Sequence, residues 1–237
     1  TKVVSSREVK FTSETPYNVA SILANLVDNN PNCFIFGYEK DGRTFVGASP
    51  EILVRHRGSE ILSYALAGTA PKDGPNAWTE EQLLTNTKNI IEHNIVRDRI
   101  VNTMRQITPD VTVGETGIME LSHLYHLRTI ITAKDSTKSL VEWAKLLHPT
   151  PALGGEPREK ALALLQEYES HERGMYAAPF GFMKDMGDGI VVVAIRSALI
   201  MDNVLYAYAG CGVVADSDAD EEYAETNNKM RTILDAL

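Results

Sequence analysis

Cysteine is nearly absent. Cys33 and Cys211 are the only two in 237 residues, too few for a disulfide framework, so a reducing cytoplasm is the expected compartment. Long apolar runs are missing as well: no stretch of 18 or more apolar residues occurs, which excludes a membrane-spanning helix. No basic segment followed by an apolar one marks an export signal. Positive charge is in deficit, with 23 Lys and Arg against 32 Asp and Glu and a formal net charge of −9. Such a surface repels phosphate backbones, and no local basic patch offsets it, so nucleic-acid binding is not expected. Zinc-spaced Cys/His clusters, a Walker loop and a G-x-S-x-G elbow are all lacking, so transition-metal, nucleotide and serine-hydrolase chemistry have no sequence support.

What is present suits one catalytic domain over residues 1–237, with a hydrophobic fraction of 43% to build its core. Internal repeats and low-complexity linkers are absent. The sequence opens on Thr1, directly before an apparent strand, which leads us to expect the C-terminal part of a longer polypeptide. Residues 2–11 read as a strand, and Thr15–Pro16 offers a cap and first turn for a helix to about Asp28. Residues 33–48 form a hairpin turning at Asp41–Gly42, and short strands follow near 51–56 and 60–67. One long helix is predicted over 79–107, with Leu83, Leu84, Ile90, Ile91, Ile95 and Ile100 as its apolar stripe. Beyond it, 122–134 look extended and 138–147 and 157–168 helical. A β-meander is predicted over 179–184, 190–201 and 204–213, and a last amphipathic helix over 219–236. Hairpins with helices set apart imply an α+β fold.

The last helix carries Glu222, Glu225 and Lys229 on one face, directly after the small residues Gly210-Cys211-Gly212. Carboxylates, an ammonium and approachable backbone at one strand–helix junction suit a hard cation with a bound carboxylate. The same spacing also fits a solvated acidic face. A second polar set, Lys88, Glu92 and His93, lies on the long helix; Glu92 and Glu225 together have the oxygen-donor chemistry that magnesium prefers. Gly47-Ala48-Ser49-Pro50-Glu51 sets a carboxyl after a proline-fixed corner, where Ser49 suits a local cap. His148 fits a loop anchor better than a ligand.

Taken in order, Lys2-Val3-Val4, GASPE (47–51), LAGT (66–69), the IEH around Glu92, YHLRT (125–129), HPTPALGG (148–155), ERGMYAAPFG (172–181), AIRSA (194–198), GCGVVADSD (210–218) and ETNNK (225–229) resemble the chorismate-binding enzyme family. The resemblance implies two facing antiparallel β-sheets flanked by helices, without the N-terminal strands of full-length members, whose absence would leave apolar sheet edges exposed. It implies magnesium on Glu92 and Glu225, with Glu222 acting through water. Arg196, Lys229, Tyr176 and the backbone at Gly210 and Gly212 would hold the enolpyruvyl carboxylate. Gly68 and Thr69 would line the ring, with His126 and Leu153 among the substrate contacts.

Within the family, Lys2 occupies the place of a lysine base that activates water, and Glu51 that of the acid on the opposite side. Ala67 stands where aminodeoxychorismate synthases carry a nucleophilic lysine, and anthranilate synthases normally lack the base. The chain therefore resembles isochorismate synthases, to which Leu153 and Tyr176 also point, and RGMYA (173–177) leans towards the menaquinone group over the siderophore group. Salicylate synthases share Lys2 and Glu51 but depart at the HPTPA loop. No obligatory protein partner is expected beyond the small-molecule substrate.

Overall fold

The computed structural model describes residues 1–237. Its twelve strands are β1 (Lys2–Thr12), β2 (Phe34–Lys40), β3 (Arg43–Ser49), β4 (Ile52–Arg57), β5 (Glu60–Pro71), β6 (Val111–Glu120), β7 (Leu124–Lys134), β8 (Gly155–Glu156), β9 (Pro179–Met183), β10 (Gly189–Val193), β11 (Ser197–Met201) and β12 (Val204–Val213). Its six helices are α1 (Val19–Asn29), α2 (Glu80–Thr85), α3 (Thr87–Arg105), α4 (Leu140–Leu147), α5 (Arg158–Tyr168) and α6 (Ala219–Leu234). None of the helices is long and apolar enough to cross a membrane.

The strands form two six-stranded sheets, ordered β2-β3-β11-β12-β1-β8 and β6-β7-β5-β4-β10-β9, with antiparallel pairing throughout. This is the α+β arrangement expected from the sequence. One core joins Phe45 and Tyr208 of the first sheet to Val54, Ile61 and Ile131 of the second, with Val96, Ile100 and Trp143 from the helices. Another packs Ile22 and Leu26 of α1 and Met230 and Ile233 of α6 against Val46, Ile200 and Leu205 of the first sheet. Each fully buried aliphatic side chain of this kind contributes about 1.5–3 kcal/mol. The edge strand β9 leaves Phe182 and Met183 exposed.

Four local expectations are corrected. First, α1 starts at Val19 rather than at Pro16, because Asn18 is the cap, accepting from the Ser21 N–H at 3.1 Å. Second, the single long helix is two, since Asn86 ends α2 and its side chain caps α3 by accepting from the Asn89 N–H at 3.0 Å. Third, β6 is a strand the sequence did not announce: most of its residues are exposed on both faces, so no apolar alternation marks it.

The fourth correction matters most for function. Residues 190–201, read as one strand of a meander, are two strands in different sheets. The chain leaves the second sheet after Val193 and enters the first at Ser197. It makes the reverse-order passage between β3 and β4 at Pro50 and Glu51. These two crossings lie side by side: the Val193 N–H donates to the Glu51 carbonyl at 3.1 Å, and the Ala48 N–H to the Arg196 carbonyl at 3.0 Å.

Candidate active site

A cleft opens beside the two crossings, with about 630 Å³ of space between its lining atoms, part of it continuous with solvent. Lys2, Glu51, Thr69, Glu92, His126, Leu153, Tyr176, Arg196, Gly210, Gly212 and Lys229 all line it. Residues from the two sheets, α3 and α6 thus meet at one place.

Glu51 follows the Ser49-Pro50 corner, where the Glu51 N–H donates to Ser49 Oγ at 3.3 Å, the local cap anticipated for that serine. Its side chain is buried and one carboxyl oxygen, Oε1, has no hydrogen-bond partner. Burial pushes its pKa up to about 8, against the pull of Lys2, Lys229 and Arg196. A neutral carboxylic acid is therefore available there near physiological pH.

Arg196 sits in the other crossing with φ 52°, and Ala177 beside the cleft has φ 63°. Left-handed backbone at a residue with a side chain costs about 1–3 kcal/mol and survives only where surrounding structure imposes it. The Arg196 guanidinium is buried, its Nη1 has no partner, and Nη2 donates to His126 Nε2 at 2.7 Å. Because arginine cannot accept, His126 Nε2 must, which leaves the ring proton on Nδ1 to donate to Thr69 Oγ1 at 3.0 Å. Burial, and then the Arg196 charge, hold the His126 pKa well below the ordinary histidine value, so this ring is neutral. The Thr69 hydroxyl keeps its own proton for a ligand. Tyr176 is buried against Tyr208 with ring centroids 5.5 Å apart, and burial pushes its phenol up to about 12, so it too remains a donor.

Gly68 makes the local geometry possible. Its φ is +80°, and it lies in the bulge where the β5–β7 register shifts between Leu66 and Thr69. The freed Thr69 N–H is taken by Asn89 Oδ1 at 3.0 Å. Asn89 was not anticipated from the sequence, although it lies one turn before Glu92 on the same helix face. The buried residues of α3 are Asn89, Glu92, His93, Val96, Ile100, Val101 and Met104; of the predicted stripe Leu83, in α2, and Ile100 are buried, whereas Ile91 is 45% exposed. His93 is structural: Nδ1 donates to the Ala67 carbonyl at 3.1 Å, Nε2 accepts from Thr129 Oγ1 at 2.7 Å, and burial lowers its pKa to about 4.

Three carboxylates gather at the α3–α6 end, each facing a lysine. Glu92 pairs with Lys2 at 2.9 Å, Glu222 with Lys88 at 2.5 Å, and Glu225 with Lys229 at 2.5 Å. The face read from the spacing of α6 is therefore packed against protein rather than solvated: Glu222 is buried, and Glu225 and Lys229 are partly buried. Lys229 Nζ also donates to the Gly210 carbonyl at 2.9 Å, tying α6 to β12. Burial alone would raise the Glu92 carboxyl, but the Lys2 ammonium, with Lys229 and Lys88, holds it below the ordinary value. Glu225 moves the other way: burial and the Glu92 and Glu222 charges outweigh Lys229 and push it up. Gly68, Glu222 and Glu225 do not themselves line the cleft: Gly68 precedes the lining residue Thr69, Glu225 pairs with the lining residue Lys229, and Glu222 pairs with Lys88, which does not line it either.

No three His, Cys, Asp or Glu side chains stand together as a ready-made metal cluster, because each carboxylate is turned to an ammonium. The donor chemistry nonetheless fits a hard divalent cation: oxygen ligands only, mutual repulsion felt at Glu225, and positive charge already recruited to each carboxylate.

Gly212 is the tightest backbone approach to this cluster. A Cβ there would lie 2.3 Å from Glu92 Oε1 and 2.6 Å from Lys2 Cε. Gly212→Ala is expected to displace both side chains at a cost of about 1–3 kcal/mol in denaturant unfolding. Unchanged stability would mean that Lys2 and Glu92 have room the geometry does not provide.

The sequence matches the chorismate binding enzyme family over residues 1–237. It is 37% identical over 242 residues to the isochorismate synthase MenF of Bacillus subtilis, covering 100% of this chain and 51% of that protein. DhbC from Bacillus anthracis superposes with a TM-score of 0.94 at 32% identity, covering 99% of this chain and 66% of that one. MenF from Escherichia coli, described as the menaquinone-specific isochorismate synthase, gives 0.88 at 31%, covering 98% and 56%. The chain thus spans one half to two thirds of the length of these relatives. With the match running from its first residue to its last, and the motif residues gathered at one cleft, the chain belongs to the chorismate-binding enzymes.

Proposed function

We propose that this site converts chorismate to isochorismate. The observation that carries the proposal is the pairing, in one cleft, of a buried lysine with a buried carboxylic acid that has a free oxygen and a pKa of about 8. In its neutral amine form, released from the ion pair with Glu92, Lys2 takes a proton from water as the water oxygen bonds to ring C2, the ring double bonds shift, and the C4–O bond breaks. Glu51 donates its proton to the departing 4-hydroxyl, so water enters and water leaves. Arg196, with its unpartnered Nη1, grips the enolpyruvyl carboxylate together with Lys229 and the Tyr176 hydroxyl. Thr69 donates towards the ring, backed by His126.

Glu92 and Glu225 are the residues that would hold magnesium, with Glu222 reached through water. The ion would supply the positive charge that balances the ring carboxylate and fixes the ring's position. Service in the menaquinone pathway rests on the RGMYA segment at 173–177, and a reducing cytoplasmic location on the free thiols of Cys33 and Cys211.

The test is chorismate turnover by this chain with and without magnesium, the products separated by chromatography. Isochorismate as the sole, magnesium-dependent product supports the proposal. Salicylate plus pyruvate would move the assignment to salicylate synthase, and binding without turnover would reduce the chain to a ligand-binding part of a longer enzyme.

A pH profile tests the acid. Glu51 must arrive protonated, so kcat/KM is expected to fall as pH rises through about 8. The same group links to stability. Its folded pKa lies above its unfolded one, so folding takes up a proton between about 4.3 and about 8, and stability falls as pH rises through that window. Glu51→Gln is expected to flatten that slope. A wild-type rate profile level to pH 9.5 would remove Glu51 as the acid.

A further inference from the structure

Arg173 does not line the cleft, yet its guanidinium is bonded to two of the cleft's walls. Nη2 donates to the Val4 carbonyl and Nη1 to the Leu153 carbonyl, each at 2.7 Å. Nε and Nη2 also pair with the two oxygens of Glu169 at 2.8 and 2.5 Å. Glu169 Oε1 in turn accepts from both the N–H and the hydroxyl of Ser6 at 2.8 Å. Val4 and Leu153 line the cleft, and Lys2 lies on the same strand face as Val4.

The strand pairing explains the need for this arrangement. On one side β1 pairs with β12 from Val3 to Thr12. On the other side β8 pairs only with Lys2 and Val3. The backbone groups of Val4 and Ser6 that point to that side have no neighbouring strand. The Val4 N–H reaches the Gly154 carbonyl at 3.1 Å, and the next two groups, the Val4 carbonyl and the Ser6 N–H, go to Arg173 and Glu169. An arginine–glutamate pair continues the sheet where β8 stops.

We propose that Arg173 is a positioning residue for Lys2. With Glu169 as its anchor, it fixes β1 and the Leu153 loop at one spacing, so that the base meets water at one geometry. The inference rests on the role of Lys2 in the proposed reaction. Lysine cannot replace arginine here, because its three donors leave a single nitrogen and cannot span two carbonyls and a bidentate carboxylate. Small displacements of reacting groups are enough to cost about 100-fold in rate.

The test compares Arg173→Lys, Lys2→Ala and the double variant in this chain. Arg173→Lys is expected to lower kcat about 10–100-fold, with KM within about threefold. The double variant is expected to be no slower than Lys2→Ala alone, since the residue through which Arg173 acts is already gone. Losses that multiply would overturn the proposal and leave Arg173 as a residue that merely holds the fold. Amide hydrogen exchange reads the clamp without turnover. Arg173→Lys is expected to speed exchange at Val4 and Ser6 and leave Leu205, at the far end of the sheet, unchanged. Unchanged protection at Val4 and Ser6 overturns the clamp. If Lys2→Ala retains full turnover, the base assignment has failed, and the exchange measurement still decides the clamp.

Discussion

Lys2→Ala is expected to lower kcat by about 10²–10⁴-fold, the range contributed by a positioned general base, while magnesium-dependent binding of chorismate persists. Lys2 is only 1% exposed, and its ammonium lies 2.9 Å from Glu92, which is itself a proposed metal ligand. Truncation therefore removes the base and leaves the Glu92 carboxylate without its counterion. Removing one partner of a buried pair costs about 3–5 kcal/mol, so the metal-free variant should melt lower than the parent. Magnesium restores a positive charge beside Glu92, and the ammonium no longer competes for that carboxylate, so metal affinity should not fall. Calorimetric titration of chorismate with magnesium present, alongside product analysis, separates the two effects. Equal loss of binding and turnover would count against the base and leave Lys2 as a packing residue.

Glu225→Gln is expected to act on the metal. The substitution keeps the shape of the side chain but removes one of the carboxylates that repel each other through Glu225, whose pKa burial and the Glu92 and Glu222 charges push up. Loss of outer-shell partners alone typically weakens metal binding about 10–100-fold, so loss of a direct ligand should reach at least that range. In metal-free protein the neutral amide relieves the buried repulsion, so the melting temperature should hold or rise despite the altered Lys229 contact. Magnesium titration followed by calorimetry, with the melting curve repeated at each concentration, gives both numbers. An unchanged magnesium requirement would end the assignment of Glu225 as a ligand and shift attention to Glu222.

The corrected elements show why part of the site was readable and part was not. The α6 face was legible because Glu222, Glu225 and Lys229 recur at helical spacing and the small residues of β12 precede them. Whether that face met water or protein was not legible, since buried charges spaced as surface charges look the same in sequence. The α3 stripe failed for the related reason that Asn89, Glu92 and His93 are polar residues drawn inside by hydrogen bonds and ion pairs. An apolar periodicity search passes over them and selects Ile91 instead, which is largely exposed. Residues 190–201 looked like one strand because apolar side chains continue through the break, and no glycine or proline marks the left-handed turn at Arg196.

By itself the sequence determined the family, the α+β class, the β2–β3 hairpin at Asp41–Gly42, the last helix and the identity of most cleft residues. These are set by local chemistry: turn residues, short-range periodicity and ordered motifs that survive without knowledge of what they touch. Tertiary structure alone decided that the chain crosses between sheets at Glu51 and at Arg196, that Lys2 faces Glu92, and that Arg173 and Glu169 take over the edge of β1. Those facts depend on pairings between residues up to 169 positions apart. The energy of such a pairing is the balance between the cost of desolvating charged groups and the charge-assisted hydrogen bonds they gain, and it is settled only where the distant segments meet.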